Sequence, residues 1–434
     1  MQNKNGLIMK RVSRRTLMKG GLALSALAAD GIMPAFAQST VKLWTFIDPA
    51  DSSVRAKTLA HVLSEFQKAN PGITVEPTVI QWDQIPQILL RAHMTGDVPD
   101  VVMIYSPSFK AMIAAEALAP IDSYIGQMSA SDKSDMITLP VGRSQGMTFG
   151  LPWELRVIGL AYNNKLLREA GFKRPEDLTE LATTTAQLTQ KHNITGLALG
   201  FNPSDPAAGM EWCTSTVAGF GGKLINDDGT GAFNSEPWVQ VANYVHDLVH
   251  KYKSIPMDVA LSGDAATQQL AEANRAVFCP TGSHVISLMR EKTQIGNDLT
   301  WMPMPGSKKG DWSPALVEGW NLAIPAKAEN KDAAWKLIEH WTSPATQLYQ
   351  CQAAAYMPMR VSVTKDQVLQ GEDKAFLREA IAYAQQKPLD IAWPENSDIL
   401  FNVISSSLED VILDKQKPEE ALTAAVAAYN SKSR

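Results

Sequence analysis

Val41-Lys42-Leu43-Trp44-Thr45-Phe46 alternates in the manner of a half-buried strand. Asp48-Pro49-Ala50-Asp51-Ser52-Ser53 breaks the pattern and supplies helix-capping side chains. A helix should follow over about 54–69, because Leu59, Val62, Leu63 and Phe66 fall on one helical face. Asn70-Pro71-Gly72 stops it, and Ile73-Thr74-Val75-Glu76-Pro77-Thr78-Val79-Ile80 reads as a second strand. A second helix over about 83–95 ends at Gly96-Asp97-Val98-Pro99. Then Pro99-Asp100-Val101-Val102-Met103-Ile104 gives a third strand, apolar enough for burial on both faces. Strands and helices alternating at this spacing predict βαβ units, a parallel sheet and an α/β fold.

Working outward, the alternation continues. A helix over about 108–115 leads to Leu118-Ala119-Pro120-Ile121-Asp122, and strands are expected over 148–152 and 158–163. Helices are expected at about 176–192, 236–252, 266–274, 331–341, 373–386 and 418–430. No internal repeat and no linker-like stretch interrupts the chain. Single cores stop growing near ~250–300 residues, so a chain of 434 residues should form two lobes. Without a tether between them, the chain should cross from lobe to lobe more than once.

Upstream of the first strand the sequence reads as a leader. Ser13-Arg14-Arg15-Thr16-Leu17-Met18-Lys19 precedes a short Gly/Ala/Leu run over 20–29, and Ala35-Phe36-Ala37 offers a small-x-small cleavage site. The paired arginines resemble a twin-arginine export signal. Residues 1–37 are therefore expected to be removed, leaving a mature chain that starts near Gln38 outside the cytoplasm. Their loss takes away Lys4, Lys10, Arg11, Arg14, Arg15, Lys19 and Asp30, and moves the formal charge from −5 to −10. An acidic mature chain argues against a nucleic-acid partner. No later segment approaches a membrane span.

The usual catalytic signatures are missing. There is no G-x-S-x-G, H-E-x-x-H, P-loop or strand-linked G-x-G-x-x-G. Among the seven histidines, His246 and His250 are spaced i, i+4, but Tyr244, Asp247 and Lys251 around them read as a solvated face. Neither a metal nor a cofactor is expected. Cys213, Cys279 and Cys351 are far apart, compatible with one disulfide plus an odd thiol or with three separate buried thiols.

Aromatic placement says more. Several of the eleven tryptophans fall near element ends: Trp44, Trp82, Trp153, Trp320 and Trp393. Ligands of open α/β sheets sit beyond the strand ends. Indole faces beside carboxylates and amides suit a sugar ring, which has apolar C–H faces and a polar rim.

Particular segments carry a family likeness: Pro99-Asp100-Val101-Val102 followed by Ala117-Leu118-Ala119-Pro120-Ile121-Asp122; Gly150-Leu151-Pro152 followed by Tyr162-Asn163-Asn164-Lys165 and Ala170-Gly171-Phe172; Pro303-Met304-Pro305-Gly306; Glu318-Gly319-Trp320-Asn321-Leu322-Ala323-Ile324-Pro325; and Met357-Pro358-Met359-Arg360. In order and spacing the mature chain resembles the family 1 extracellular solute-binding proteins of bacterial ABC importers, the maltose-binding-protein-like group. The resemblance implies the two-lobe periplasmic binding protein fold, with hinge crossings and a ligand cleft between the lobes. Carried over, 38–152 and 301–352 make lobe one, 153–300 and 353–434 make lobe two, and Gly150-Leu151-Pro152 is a hinge. One departure concerns the place after Gly282 where such proteins often hold a tryptophan. This chain has His284 there.

The expected ligand residues are Trp44, Asp48, Trp82, Tyr105, Trp153, Glu154, Arg156, Gly282, His284, Gly319, Trp320, Arg360 and Trp393. The reading implied is a monomeric periplasmic binding protein, not an enzyme, that captures a carbohydrate and hands it to membrane permease subunits. A leader without a lipobox cysteine implies a protein free in the periplasm. An exported glycan-active enzyme or lectin is the alternative, and a polyamine or other cation binder the next. Arg156 and Arg360, if free, would favour an anionic sugar; otherwise Arg156 pairs with Glu154 and Arg360 caps a helix.

Overall fold

The computed structural model describes residues 39–432 apart from 138–141, 390 and 392; the expected leader lies outside the described residues. Eleven strands are present among them: β1 (Ser39–Thr45), β2 (Ile73–Val79), β3 (Val101–Tyr105), β4 (Arg143–Ser144), β5 (Met147–Thr148), β6 (Gly150–Asn163), β7 (Thr195–Leu197), β8 (Ala276–Gly282), β9 (Leu299–Met302), β10 (Ala315–Ala323) and β11 (Pro388–Leu389). β4 and β5 form a small hairpin. The rest join one sheet in the order β2-β1-β3-β10-β6-β8-β7, with β11 beside β10 and β9 beside β6. β1 is parallel to β2 and β3, as the opening βαβ pattern requires, whereas β10 is antiparallel to both β3 and β6. The helix Val54–Ala69 is capped by Ser53, whose hydroxyl accepts the Ala56 N–H, and it buries Leu59, Val62, Leu63 and Phe66 as the spacing predicts.

β6 is the crossing strand. Its residues Gly150 to Val157 pair with β10, and Ile158 to Asn163 pair with β8 and β9. Leu151, Trp153, Leu155, Val157 and Ala161 enter one apolar core, while Ile158, Leu160 and Tyr162 enter the other. The change of pairing partner comes at Val157–Ile158, within the strand that starts at the expected hinge Gly150-Leu151-Pro152. The expected grouping of 353–434 also divides. Phe376, Leu377, Ala380 and Ile381 join the first core, and Leu400, Ile404 and Leu408 join the second.

Gly319 shows how tightly β6 and β10 approach. Its φ of +156° suits glycine, and a Cβ there would lie 1.8 Å from the Glu154 carbonyl oxygen. The pairing shifts register between Trp320 and Asn321, a bulge beside the residues that line the cavity described below. The three cysteines are free and buried. No described helix is long and apolar enough to cross a membrane.

Candidate ligand-binding site

A cavity of about 280 Å³ opens where the ends of β1 and β3, the middle of β6 and the helices Ala207–Gly219 and Asp264–Glu272 converge. An aromatic wall closes one side. Trp320 on β10 stacks on Phe46 at 3.9 Å and tilts against Tyr105 at 5.5 Å, and Trp82 sets its edge against both Trp320 and Tyr105. Arg55, from the first turn of the first helix, lies over Phe46 with its guanidinium carbon 4.6 Å from the ring centre.

Beneath this wall lies a buried ionic network. Arg156 Nη2 donates to Glu211 Oε1 at 2.6 Å, to Glu318 Oε1 at 2.5 Å and to the Tyr105 hydroxyl at 2.6 Å. The Tyr105 hydroxyl in turn donates to the same two carboxylates. Burial opposes charge on Arg156, but Glu211, Tyr105 and Glu318 outweigh it and hold the guanidinium firmly cationic. Burial, reinforced by Glu318, pushes the Glu211 carboxyl well above the usual range in spite of Arg156. The Tyr105 phenol is raised well above its usual value, chiefly by burial.

A second pair stands beside it. Arg55 Nη2 donates to Glu154 Oε2 at 2.5 Å, and His284 Nε2 lies 3.9 Å from Glu154 Oε1. Burial, then the nearby Arg156 and Arg55, hold the imidazole of His284 neutral. Gly282 keeps the approach open, since a Cβ there would meet His284 Nδ1 at 2.6 Å and the Arg156 side chain at 2.8 Å. Asp205 and Asp264 line the far side with no lysine or arginine at ion-pair distance among the described residues. Burial, with Asp205 adding to it, raises the Asp264 carboxyl to about 6.

Four buried polar atoms here have no hydrogen-bond partner: Arg55 Nε, Glu154 Oε1, His284 Nδ1 and Glu318 Oε2. Leaving such an atom unpaired costs roughly 1–3 kcal/mol, more when it is charged. Arg55 and His284 line the cavity, and Glu154 and Glu318 stand behind it.

Of the residues expected from sequence, Trp82, Tyr105, Arg156, His284 and Trp320 line this cavity; Glu154, Gly282 and Gly319 stand directly behind it. The others are elsewhere. Trp153 is core, edge-on to Trp341 and Tyr356. Arg360 is 1 % exposed and donates to the carbonyl oxygen of Thr342, the C-cap residue of the helix Lys331–Trp341, and to that of Asp132 in the helix Ala130–Asp135, so its side chain caps helix ends, as the alternative expected, and does not line the cavity. Trp44 is half-buried against the first core, and exposed Asp48 accepts the Ala50 N–H in its own loop. Trp393 packs edge-on to Phe401 beside a second, larger cavity of about 640 Å³. Arg156 does not pair with Glu154: each takes a partner from another element.

Sequence reasoning missed Phe46, Arg55, Asp205, Glu211, Asp264 and Glu318. Glu318 carried a usable signal, because it lies two residues from Trp320 on β10 and so shares its face. The others lie on loops and helices whose facing no strand period reveals.

Comparisons with known proteins place the chain in a family and a fold. A family model described as bacterial extracellular solute-binding protein matches residues 61–376. A binding protein of Brucella abortus (strain 2308) is 23 % identical over 390 residues, covering 84 % of this chain and 87 % of its own. Among solved structures, a solute-binding protein of an ABC transporter from Thermotoga lettingae, bound to α-D-tagatose, superposes with a TM-score of 0.79 at 20 % identity, covering 91 % of this chain and 99 % of its own. The GacH receptor of Streptomyces glaucescens, solved unliganded and with acarbose, gives a TM-score of 0.77 at 22 % identity, with 91 % and 98 % covered. These likenesses establish the two-lobe periplasmic binding fold for this chain. With the family match spanning most of its length, the chain belongs to the bacterial extracellular solute-binding protein family.

Proposed function

We propose that this protein captures a carbohydrate in the 280 Å³ cavity and delivers it to the permease of an ABC importer. The observation that carries this reading is the set of unpartnered atoms on Arg55, Glu154, His284 and Glu318 beneath the Phe46–Trp320 wall. A sugar ring offers both halves of that surface, a C–H face for the indole and hydroxyls that donate and accept. The cavity is at the small end of the usual range of ~300–1,000 Å³, which favours one or two rings over a long oligosaccharide.

Arg156 is saturated by two carboxylates and Arg360 is remote, so the site favours a neutral sugar over an anionic one. A second reading has one observation behind it. Asp205 and Asp264 stand unneutralised beside aromatic rings, an arrangement that also suits an amino group on the ligand.

The protein acts by binding, not catalysis, and as a monomer. It is exported through its twin-arginine leader to the periplasm, and its two lobes close around the ligand about the β6 crossing. Calorimetry against matched neutral, anionic and amino sugars tests the reading, with product analysis after incubation. Saturable binding of a neutral or amino sugar recovered unchanged supports it. Turnover of the sugar, or no binding across the panel, defeats it. Scattering adds a test of closure, since the radius should shrink at saturation.

A further inference from the structure

His246 and His250 occupy successive turns of the helix Glu236–His250, with rings stacked at 4.3 Å. From sequence they read as part of a solvated face. The fold adds a third group from 164 residues further on. Asp414 lies in the turn between the helices Ser397–Ile412 and Pro418–Lys432, and its left-handed backbone, φ +56°, accompanies that turn. Its Oδ1 is 2.8 Å from His246 Nε2 and its Oδ2 3.7 Å from His250 Nε2. One donor atom from each residue falls within 4.8 Å of the other two.

We propose that these three residues form a binding site for a divalent transition metal of the zinc class. Donors around a tetrahedral ion with bonds of ~2.0–2.1 Å stand about 3.3 Å apart, so small side-chain rotations from the observed spacing suffice. Two imidazoles and one carboxylate select zinc, nickel or copper over calcium and magnesium, which take oxygen ligands. His246 bonds the carboxylate directly, His250 Nε2 stands 3.7 Å from its other oxygen, and Asp414 has no lysine or arginine partner among the described residues. Lys415, next in sequence to Asp414, bonds Asp410, and Lys251, next to His250, bonds Asp247, each at 3.1 Å. His250 Nε2 also lies 2.8 Å from the Ile412 carbonyl oxygen, a bond that must be given up when metal enters. The three residues are 30–66 % exposed, leaving room for water at the remaining coordination position. A bound ion would staple the helix Glu236–His250 to the turn that joins the last two helices, stabilising the second core without touching the sugar cavity.

Untagged protein stripped with EDTA is titrated with Zn²⁺, and separately with Mg²⁺, by calorimetry and thermal unfolding. One equivalent of Zn²⁺ should bind and raise the unfolding temperature, while Mg²⁺ does neither. His250→Ala and Asp414→Asn should each weaken Zn²⁺ binding at least ~10-fold, and His246→Ala with His250→Ala should abolish it. Co²⁺ should develop visible absorption in the wild type and not in the double variant. The metal-free melting curve of each variant confirms that it folds, and Asp414→Asn keeps the side-chain shape should the histidine variants fold poorly. Equal Zn²⁺ affinity in wild type and double variant, or no saturable binding below ~1 mM, overturns the proposal.

Discussion

The helix Ala207–Gly219 lines both cavities: Ala208 and Glu211 face the smaller one, and Thr214 and Val217 face the larger, one turn further on. The larger has more than twice the volume, and some of its polar groups are already paired. Lys223 pairs with Asp227 at 3.1 Å, and Asn226 bonds Thr230. Among the described residues lining it, Thr214 Oγ1 is the one buried side-chain atom without a partner. The smaller cavity is lined by the guanidinium groups of Arg55 and Arg156 and the carboxyl groups of Asp205, Glu211 and Asp264, with unpartnered atoms on Arg55 and His284 at its wall and on Glu154 and Glu318 behind it. Volume measures what fits; unmet hydrogen-bonding capacity measures what is held. On that criterion the proposed site is the smaller cavity, and the packing of Trp393 against Phe401 gives it no part in that site.

The largest expected effect comes from Arg156→Met. Removing the cation strands Glu211 and Glu318 in the interior, which should cost about 3–5 kcal/mol of stability in urea unfolding and abolish ligand binding. Retained affinity would place the ligand elsewhere. Trp393→Ala should lose a similar ~3–5 kcal/mol of stability, because the ring is 2 % exposed, but leave affinity unchanged in the folded protein. A drop in affinity there would move the site to the larger cavity.

Trp320→Ala should do the reverse in emphasis. Calorimetry well below the unfolding temperature should show binding weaker by about 1–3 kcal/mol, from the lost ring-face contact. Wild-type affinity would remove Trp320 from the site.

The smallest effect concerns Asp264. Folding raises its carboxyl from an ordinary 3.8 to about 6, so between those values the folded chain holds a proton that the unfolded chain has released. Stability from this group is full below about pH 4, declines as pH rises to about 6 and is then flat. Asp264→Asn should therefore flatten the slope over that window and raise stability at pH 7 by about 1–3 kcal/mol. If an amino sugar is the ligand, the same variant should weaken its binding; for a neutral sugar the change should be small.

Much of the fold was legible because its signals are local. Leu59, Val62, Leu63 and Phe66 mark one helical face, and the helices expected at about 176–192, 236–252, 331–341 and 418–430 are present as Leu178–His192, Glu236–His250, Lys331–Trp341 and Pro418–Lys432. The helix Ala207–Gly219 was not foreseen, since it is buried almost all round and shows no polar face to set a period. It carries Glu211, so the centre of the ionic network went with it. Trp320, Tyr105, Arg156 and His284 were legible from aromatic placement and the family-like segments. Arg55 and Glu154 meet across 99 residues of chain and Arg156 and Glu318 across 162, separations that no local pattern encodes. Arg360 and Trp153 misled for the same reason: their family-like neighbourhoods place them near the cleft in sequence, but their side chains turn into the interior.

The most direct test is a crystal structure of the mature protein with the sugar that binds best in the calorimetric panel. The account predicts one sugar ring against Trp320, with hydroxyls within hydrogen-bond distance of Arg55 Nε, His284 Nδ1 and the carboxylates of Glu154 or Glu318. Sugar bound instead against Trp393 and Asn226, with the Phe46–Trp320 wall uncovered, would contradict it.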